Sequence, residues 1–158
     1  MFREFRRKNK EISIEEIKKL LINERRGVLS VQGDDGYPYA VPINYLYSEM
    51  DNKIYFHGSK VGHKTESILK NDKVCFTVYG NETIKDELWA PYLQSVVLFG
   101  RCKQITNKEA IISFLFSFAS KYYPNKELID EEIDKSINAV SMFEITIEHM
   151  TGKQIQEK

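Results

Sequence analysis

The chain has only two cysteines and one tryptophan, and its formal net charge at pH 7 is zero. The two cysteines, Cys75 and Cys102, stand in apolar, strand-like sequence, with no CxxC motif and no zinc-like spacing to a histidine. We therefore expect both thiols to be buried and predict no metal site. Lys and Arg together number 23, as do Asp and Glu, so no net charge attracts nucleic acid.

Long apolar segments are missing as well. No run approaches the roughly 20 residues that a membrane helix needs, and the first residues lack the apolar stretch of a secretion signal. These absences predict a cytoplasmic protein that binds no membrane. The basic run from Arg3 to Lys10 predicts a flexible N-terminus over residues 1–11.

The apolar residues that are present follow the period of β-strands over much of the chain. With 158 residues, the protein fits a single domain, 1–158. Six strands are predicted, at residues 26–32, 37–47, 53–57, 73–79, 95–105 and around 143–147. Helices are predicted from the capping pair Ser13 and Glu16 to Asn23, over 62–69, and from Thr106 to a stop before Pro124. The fold class is therefore mainly β, an antiparallel barrel with peripheral helices.

The segment KIYFHGSKVGHKTESIL, residues 53–69, carries groups suited to a phosphate. A strand ends at His57, the glycines at 58 and 62 let the backbone approach a ligand, and a helix begins near position 63. Free N–H groups at that helix start are placed to bind an anion together with four side chains, those of Ser59, Lys60, His63 and Lys64. An ordinary surface loop with solvated lysines is the alternative, and residue chemistry leaves both open.

Proline interrupts the predicted strand 37–47 at Pro42. Because proline donates no hydrogen bond, this strand lies at a sheet edge or meets something other than a neighbouring strand. The backbone groups of Val41 and Ile43 are placed to bind a flat heterocycle there. A plain edge strand is the alternative.

Four segments occur in the same order as in a known group of flavoproteins. They are RRGVLSVQGDDGYPYAVPINYLY, HGSKVGHK, SVVLFGRC and TIEHMTGK, and together they span residues 12–153. The chain thus resembles the nitroimidazole-resistance (Nim-type) branch of the pyridoxamine-phosphate-oxidase-like proteins. The resemblance implies a six-stranded antiparallel FMN-binding split barrel that forms a homodimer, with one FMN in each of two sites at the subunit interface.

The resemblance also implies which residues bind the cofactor. It puts the FMN phosphate on Ser59, His63 and Lys64. The isoalloxazine ring is expected along Val41, Pro42, Ile43 and Asn44, with His57 and Gly58 nearby. At the subunit interface the flavin is expected to meet Gln94 and Ser95.

The end of the chain departs from the resemblance. Pyridoxamine-phosphate oxidases end in an arginine-rich segment that contains tryptophan, whereas this chain ends in MTGKQIQEK. We therefore do not expect pyridoxal phosphate synthesis. The only tryptophan, Trp89, lies in the segment 87–92, which is expected either to wall the open face of the flavin or to pack between subunits.

Two classes of function stay open. The first is an FMN-dependent oxidoreductase, an NAD(P)H-linked reductase of small planar acceptors such as nitroaromatics or quinones. No GxGxxG motif is present, so NAD(P)H is expected to bind only transiently over the flavin. In this class His57 is either a proton donor, because an imidazole pKa lies near neutrality, or a side chain that positions the loop. The second class is a non-catalytic flavin- or haem-binding carrier or sensor, for which His57, His63 and His149 are the available haem ligands.

Overall fold

The computed structural model describes residues 1–84, 91–123, 125, 127–129, 131, 133 and 140–155. The described strands are β1 (Arg26–Gln32), β2 (Pro38–Asn44), β3 (Leu46–Ser48), β4 (Lys53–Ser59), β5 (Lys73–Thr83), β6 (Tyr92–Ile105) and β7 (Val140–Gln154). The helices are α1 (Ile14–Asn23), α2 (His63–Lys70) and α3 (Lys108–Tyr122), with short 3-10 turns at Lys8–Lys10 and Asp34–Gly36.

Tyr45 joins the two edges of the sheet. The strands form one antiparallel sheet in the order β2-β1-β5-β6-β7-β4-β3. Strands β2 and β3 therefore lie at opposite edges, although only Tyr45 separates them in the chain. The sheet must curl until its edges meet at this residue, and the fold is a split barrel.

The sheet has seven described strands, so the predicted count of six was wrong. The single strand predicted over 37–47 divides in two, because its first part pairs with β1 and its last part pairs with β4. Between the two parts, the Tyr45 N–H donates to the Tyr122 hydroxyl at 2.8 Å instead of to a neighbouring strand. The predicted class, a mainly β barrel with peripheral helices, is confirmed.

The barrel interior is filled by alternate residues of the strands, as the period of two requires. Large, fully buried side chains include those of Tyr45, Phe56, Phe76, Leu98 and Phe143. Removal of one such apolar side chain from water contributes about 1.5–3 kcal/mol. Of the two cysteines, Cys102 is buried, as predicted, and Cys75 is only partly buried.

Helix α1 closes one end of the barrel. The predicted capping box is present, because the Glu16 N–H donates to Ser13 Oγ at 3.3 Å and the Ser13 N–H donates to the Glu16 carboxylate at 3.0 Å. Ile17, Leu20 and Leu21 form the buried stripe. The local sequence therefore determines both where this helix begins and which face it buries.

The segment ahead of α1 lies across the outer face of the sheet. The ring of Phe2 stacks on Phe99 with centroids 5.6 Å apart and on His149 with centroids 4.8 Å apart. Glu11 forms an isolated antiparallel bridge with Lys153. The flexibility of residues 1–11 stays a prediction.

Two further properties concern the described part of the chain. None of its helices has both the length and the apolar character that a membrane crossing demands. Within the same residues, no group of three or more His, Cys, Asp or Glu side chains is arranged to hold a metal ion.

Candidate functional site

Helix α3 covers the outer face of β4. Its first turn is capped by the side chain of Asn107. Phe114 stacks on Tyr55 of β4 with ring centroids 3.9 Å apart, and Phe118 meets the ring of His57 edge-on at 4.9 Å. These ring contacts fix the helix over the end of β4 that leads into the glycine-containing loop.

A cleft of about 370 Å³ lies between α3 and the barrel. Its barrel side contains Asn44 of β2 and His57 of β4. Its other side is mostly apolar and aromatic, with Leu115, Phe118, Ala119, Tyr122, Leu128 and Ile129. This volume lies at the lower end of the range of about 300–1,000 Å³ for small-molecule sites.

The side chains of Asn44 and His57 have no hydrogen-bond partner among the residues that the structure describes. Partial burial, and to a smaller extent the charge of Lys64, lowers the pKa of His57. A lowered pKa favours the neutral imidazole, which is able both to donate and to accept a hydrogen bond. Two uncommitted polar groups that face an apolar cleft are typical of a ligand site.

The loop between β4 and α2 is held in shape by its own side chains. Gly62, which caps α2, has φ +114°, a conformation that favours glycine. Its N–H donates to the Glu66 carboxylate at 3.2 Å, and the Val61 N–H donates to Ser59 Oγ at 3.3 Å. Thr65 Oγ1 donates to the Ser59 carbonyl at 2.8 Å. The start of α2 is thereby fixed directly beside the last residues of β4.

Lys64 is a partly buried lysine with no carboxylate within ion-pair distance in the described part of the chain. Its Nζ lies 5.6 Å from the centroid of the Phe56 ring. A Cβ at Gly58 would come within 3.1 Å of the same nitrogen, so glycine leaves the space that the ammonium uses. Burial lowers the pKa of Lys64. An anion next to this ammonium would relieve that effect.

His63 points away from the cleft, toward the turn between β1 and β2. Its ring stacks on Tyr39 with centroids 4.1 Å apart, and its Nε2 lies 3.7 Å from the Asp34 carboxylate. His57 lines the cleft and His149 lies on the outer face of β7, so the three histidines occupy three separate places. His63 flanks the start of α2 from the side opposite to the cleft.

Strand β2 presents alternate residues to the two sides of the sheet. Val41 and Ile43 face the core, whereas Pro42 and Asn44 lie on the outer face. The side chains of Val41 and Ile43 are therefore not available to a ligand on the outer side. Pro42 lies in an edge strand, as the missing N–H predicted.

Neither Gln94 nor Ser95 is among the described residues that line the cleft. Gln94 is buried, accepts from Asn81 Nδ2 at 2.6 Å and donates to Glu16 of α1 at 3.1 Å. Ser95 lies on the outer face of β6, opposite Tyr79 of β5. The Gln94 side chain thus connects β6 to α1, whereas the Ser95 side chain faces outward.

The predicted flavin wall at 87–92 falls mostly outside the described residues, because Trp89 and its neighbours 85–90 are not among them. Tyr92 is described, and its hydroxyl donates to Gln154 Oε1 at 3.0 Å, within the β6–β7 pair. The role of Trp89 stays a prediction.

Sequence reasoning missed that α3 walls the cleft. It predicted the helix itself, but it did not assign a site to Phe118, Ala119 or Tyr122. The signal that was available is the spacing of aromatic residues at 114, 118 and 122, which puts three rings on one helix face. A buried core stripe produces the same spacing, so the pattern alone does not identify a cleft.

The match to a family model decides the family. The model for pyridoxamine 5'-phosphate oxidase matches residues 13–154, nearly the whole chain. This protein belongs to the pyridoxamine 5'-phosphate oxidase family. No curated protein matches the sequence.

Solved structures share the fold of this pyridoxamine 5'-phosphate oxidase family member. A proposed 5-nitroimidazole antibiotic resistance protein from Bacteroides thetaiotaomicron is 19% identical with a TM-score of 0.75, over 91% of this chain and 86% of that one. A FAD-binding protein from Mesorhizobium loti is 24% identical with a TM-score of 0.68, over 92% and 97%. A FAD and haem binding protein from Mycobacterium smegmatis is 18% identical with a TM-score of 0.74, over 91% and 72%. At these identities the likeness shows the fold alone.

Proposed function

We propose that this family member is a cytoplasmic FMN-dependent oxidoreductase that takes electrons from NAD(P)H and reduces small planar acceptors such as nitroaromatics or quinones. The observations that carry the proposal are the side chains of Asn44 and His57, which have no described hydrogen-bond partner beside an apolar cleft, and the Lys64 ammonium, which no described carboxylate neutralises. A flavin phosphate needs a cation, and a flavin ring needs a flat apolar surface with a few polar groups.

The residues between β4 and α2 fit the phosphate of FMN. Lys64 offers an ammonium that no described carboxylate neutralises. Gly58 leaves room beside that ammonium. Ser59 and His63 flank the same helix start, Ser59 from the end of β4 and His63 from the side of the β1–β2 turn. We assign the phosphate to these three polar side chains.

The outer face of β2 fits the isoalloxazine ring. Pro42 gives it a flat apolar contact, the backbone of Val41 and Ile43 offers edge hydrogen bonds, and Asn44 offers its amide. When bound, the flavin supplies the hydride and electron transfer. Because the pKa of His57 is lowered, we assign the neutral imidazole a positioning hydrogen bond at pH 7, with proton donation as its second role.

The outer face of β5 and β6 fits a second copy of the chain. Tyr79 is 61% exposed on this face, and Phe99 stays 39% exposed although the ring of Phe2 stacks on it. Val97 lies on β6 between Ser95 and Phe99. Apolar side chains in one patch call for cover. Ser95 belongs to the same face, and in the proposed homodimer we assign it to the flavin site shared with the partner.

The test is the colour and the redox response of the purified protein. We expect stoichiometric FMN, seen as paired absorbance bands in the near-ultraviolet and blue, and bleaching of these bands by NAD(P)H under argon. Re-oxidation by a quinone or a nitroaromatic should follow. A colourless protein that takes up no FMN, or one with an intense Soret band from haem, contradicts the proposal. Bound FMN that NAD(P)H leaves oxidised points to the non-catalytic carrier or sensor.

A further inference from the structure

Asn44 lies where the chain leaves one edge of the sheet for the other. It is the last residue of β2 and pairs with Arg26 of β1, whereas Leu46 already pairs with Tyr55 of β4. Tyr45 between them belongs to neither strand. The N–H of the peptide that joins Asn44 to Tyr45 therefore has no neighbouring strand to donate to, and another group has to accept its hydrogen bond.

The Tyr122 hydroxyl is that acceptor. It accepts from the Tyr45 N–H at 2.8 Å and lies within hydrogen-bond distance of the carbonyl oxygens of Tyr45 (2.7 Å) and Arg25 (2.6 Å). Burial raises the pKa of Tyr122, so the hydroxyl keeps its proton at neutral pH and donates to one of these carbonyls while it accepts from the N–H. The hydroxyl is thus engaged with the barrel, although the ring of Tyr122 lines the cleft.

Two cations pack around this contact without replacing it. Arg25 Nη2 donates to the Tyr122 carbonyl at 3.2 Å, and the guanidinium lies 4.9 Å from the centroid of the Tyr122 ring. Lys121 donates to the carbonyl oxygens of Glu24 and Tyr45. A protonated lysine or arginine cannot accept a hydrogen bond. Among the described residues, the Tyr45 N–H therefore depends on the Tyr122 hydroxyl.

The ring of Tyr122 has a separate role from its hydroxyl. It stacks on Phe118 with centroids 4.9 Å apart, and Phe118 in turn meets the ring of His57 edge-on. The Asn44 amide lines the same cleft and has no described hydrogen-bond partner. Removal of the hydroxyl alone would therefore keep the aromatic wall and release the peptide that carries Asn44.

We propose that Tyr122 is a positioning residue for the flavin ring, because its hydroxyl holds the Asn44–Tyr45 peptide and so keeps the Asn44 amide in place beside the bound ring. The inference rests on the proposed function, which puts the isoalloxazine ring against Asn44. It adds a residue whose hydroxyl acts on the flavin only through its neighbour. A released peptide would let the amide adopt several orientations, and binding would have to order it again.

The test is a double-mutant cycle on the flavin-free protein, with FMN and riboflavin affinities measured by fluorescence quenching. Tyr122→Phe keeps the ring and should weaken both flavins equally, by about three- to tenfold, the effect of one neutral hydrogen bond. Asn44→Ala should do the same. Once residue 44 is alanine, Tyr122→Phe should change either affinity by less than about twofold, because the group that the hydroxyl positions is gone.

Two controls separate positioning from general damage. Lys64→Ala removes the proposed phosphate contact, so its loss of FMN affinity should multiply with that of Tyr122→Phe. Tyr37→Phe removes the hydroxyl of a tyrosine that is 74% exposed and is not among the described residues of the cleft, and it should change neither affinity. The absorbance maxima of bound FMN should also shift in the same direction in Tyr122→Phe and Asn44→Ala, which a purely structural role would not produce.

Two results would overturn the inference and leave the proposed function standing. One is an unchanged flavin affinity in Tyr122→Phe, and the other is a loss that multiplies in the double variant with Asn44→Ala. If Asn44→Ala alone has no effect, or if the wild-type protein takes up no FMN, the proposed flavin site is wrong and the inference fails with it. Should Tyr122→Phe not fold, the cycle is measured in trimethylamine N-oxide, which favours the folded state.

Discussion

At the residue scale, Lys64 occupies an unusual position for a lysine. Most lysines remain exposed or neutralise a carboxylate, as Lys53 and Lys103 do with Glu144 at 2.9 and 3.2 Å. Lys64 is partly buried instead, and its described surroundings are an aromatic ring and a glycine. The burial of this ammonium is unfavourable for its charged form, and a bound anion next to it would offset that effect.

Lys64→Ala is therefore expected to weaken FMN binding by about ten- to a hundredfold. A hydrogen bond to a charged group contributes about 1.5–3 kcal/mol, and each 1.4 kcal/mol is a tenfold change in affinity. Riboflavin lacks the phosphate, so its affinity should stay nearly unchanged. Titration of the apoprotein with both flavins by fluorescence quenching makes the comparison.

Lys70→Ala is the matched control for this prediction. Lys70 lies at the exposed end of α2, 3.5 Å from Asp34, and its removal should leave both affinities unchanged. Equal losses for FMN and riboflavin in Lys64→Ala would mean that the substitution damages the site in general. No loss for either flavin would place the phosphate elsewhere.

At the scale of elements, the end of α3 is attached to the junction between β2 and β3. Lys121 Nζ donates to the carbonyl oxygens of Glu24 (2.6 Å) and Tyr45 (3.2 Å) and lies 4.1 Å from the Tyr45 ring centroid. Burial, with a smaller contribution from the charge of Arg25, lowers the pKa of Lys121 to about 8. The helix thus docks through an amine that loses its proton more readily than a lysine in water.

This attachment predicts a stability that rises with pH. Between the folded pKa of about 8 and the unfolded value of 10.5, the unfolded chain holds a proton at Lys121 that the folded chain has released. The free energy of unfolding of the wild type, relative to Lys121→Met, should therefore increase from pH 8 to pH 10.5 and stay constant below pH 7. Urea titrations of the two proteins across this range measure the difference. Parallel curves for the two proteins would show that Lys121 does not contribute.

Local elements were predictable because their signals lie within a few residues. The capping pair Ser13 and Glu16 determined the start of α1, and the glycine-containing turn after Gln32 determined the β1–β2 hairpin. The division of one predicted strand at Tyr45 was not predictable. Tyr45 continues the local pattern of a strand, and only the hydroxyl of Tyr122, 77 positions away, gives its N–H another partner.

The candidate site was also predictable only in part, where its residues are neighbours in the sequence. Glycines, a serine and a lysine between a strand and a helix left a phosphate loop and an ordinary surface loop both open, and the structure adds that Lys64 and Gly58 lie side by side. The place of Gln94 under α1 depends on Glu16 and Asn81, which are distant in sequence. The cleft wall on α3 likewise depends on where the helix docks, and no local pattern carries that information.

At the scale of the whole molecule, we propose that two copies of the chain associate through the exposed face of β5 and β6. We expect the protein to sediment as a homodimer at micromolar concentration, with full FMN occupancy. Phe99→Glu introduces a charge into the proposed interface, and it should shift the protein toward monomer and lower FMN occupancy together. Sedimentation velocity and the flavin-to-protein absorbance ratio measure both quantities.

Met50→Glu provides the control for assembly, because Met50 is fully exposed in the turn between β3 and β4. This variant should remain dimeric and flavin-loaded. A wild-type protein that is monomeric yet saturated with FMN would contradict the proposal that two subunits together form the FMN sites.

The pairing of β4 with β7, the last described strand, also has a consequence for protein synthesis. Strand β4 pairs with β7, which follows it about 80 residues later, so at 5–20 residues per second the ribosome needs about 4–16 s to supply the partner. During that interval the β7-facing edge of β4 has no strand to pair with, and bare strand edges recruit other chains. The nascent chain is therefore most exposed to misassembly before its last strand emerges, and cotranslational chaperones have their longest opportunity to act at this stage.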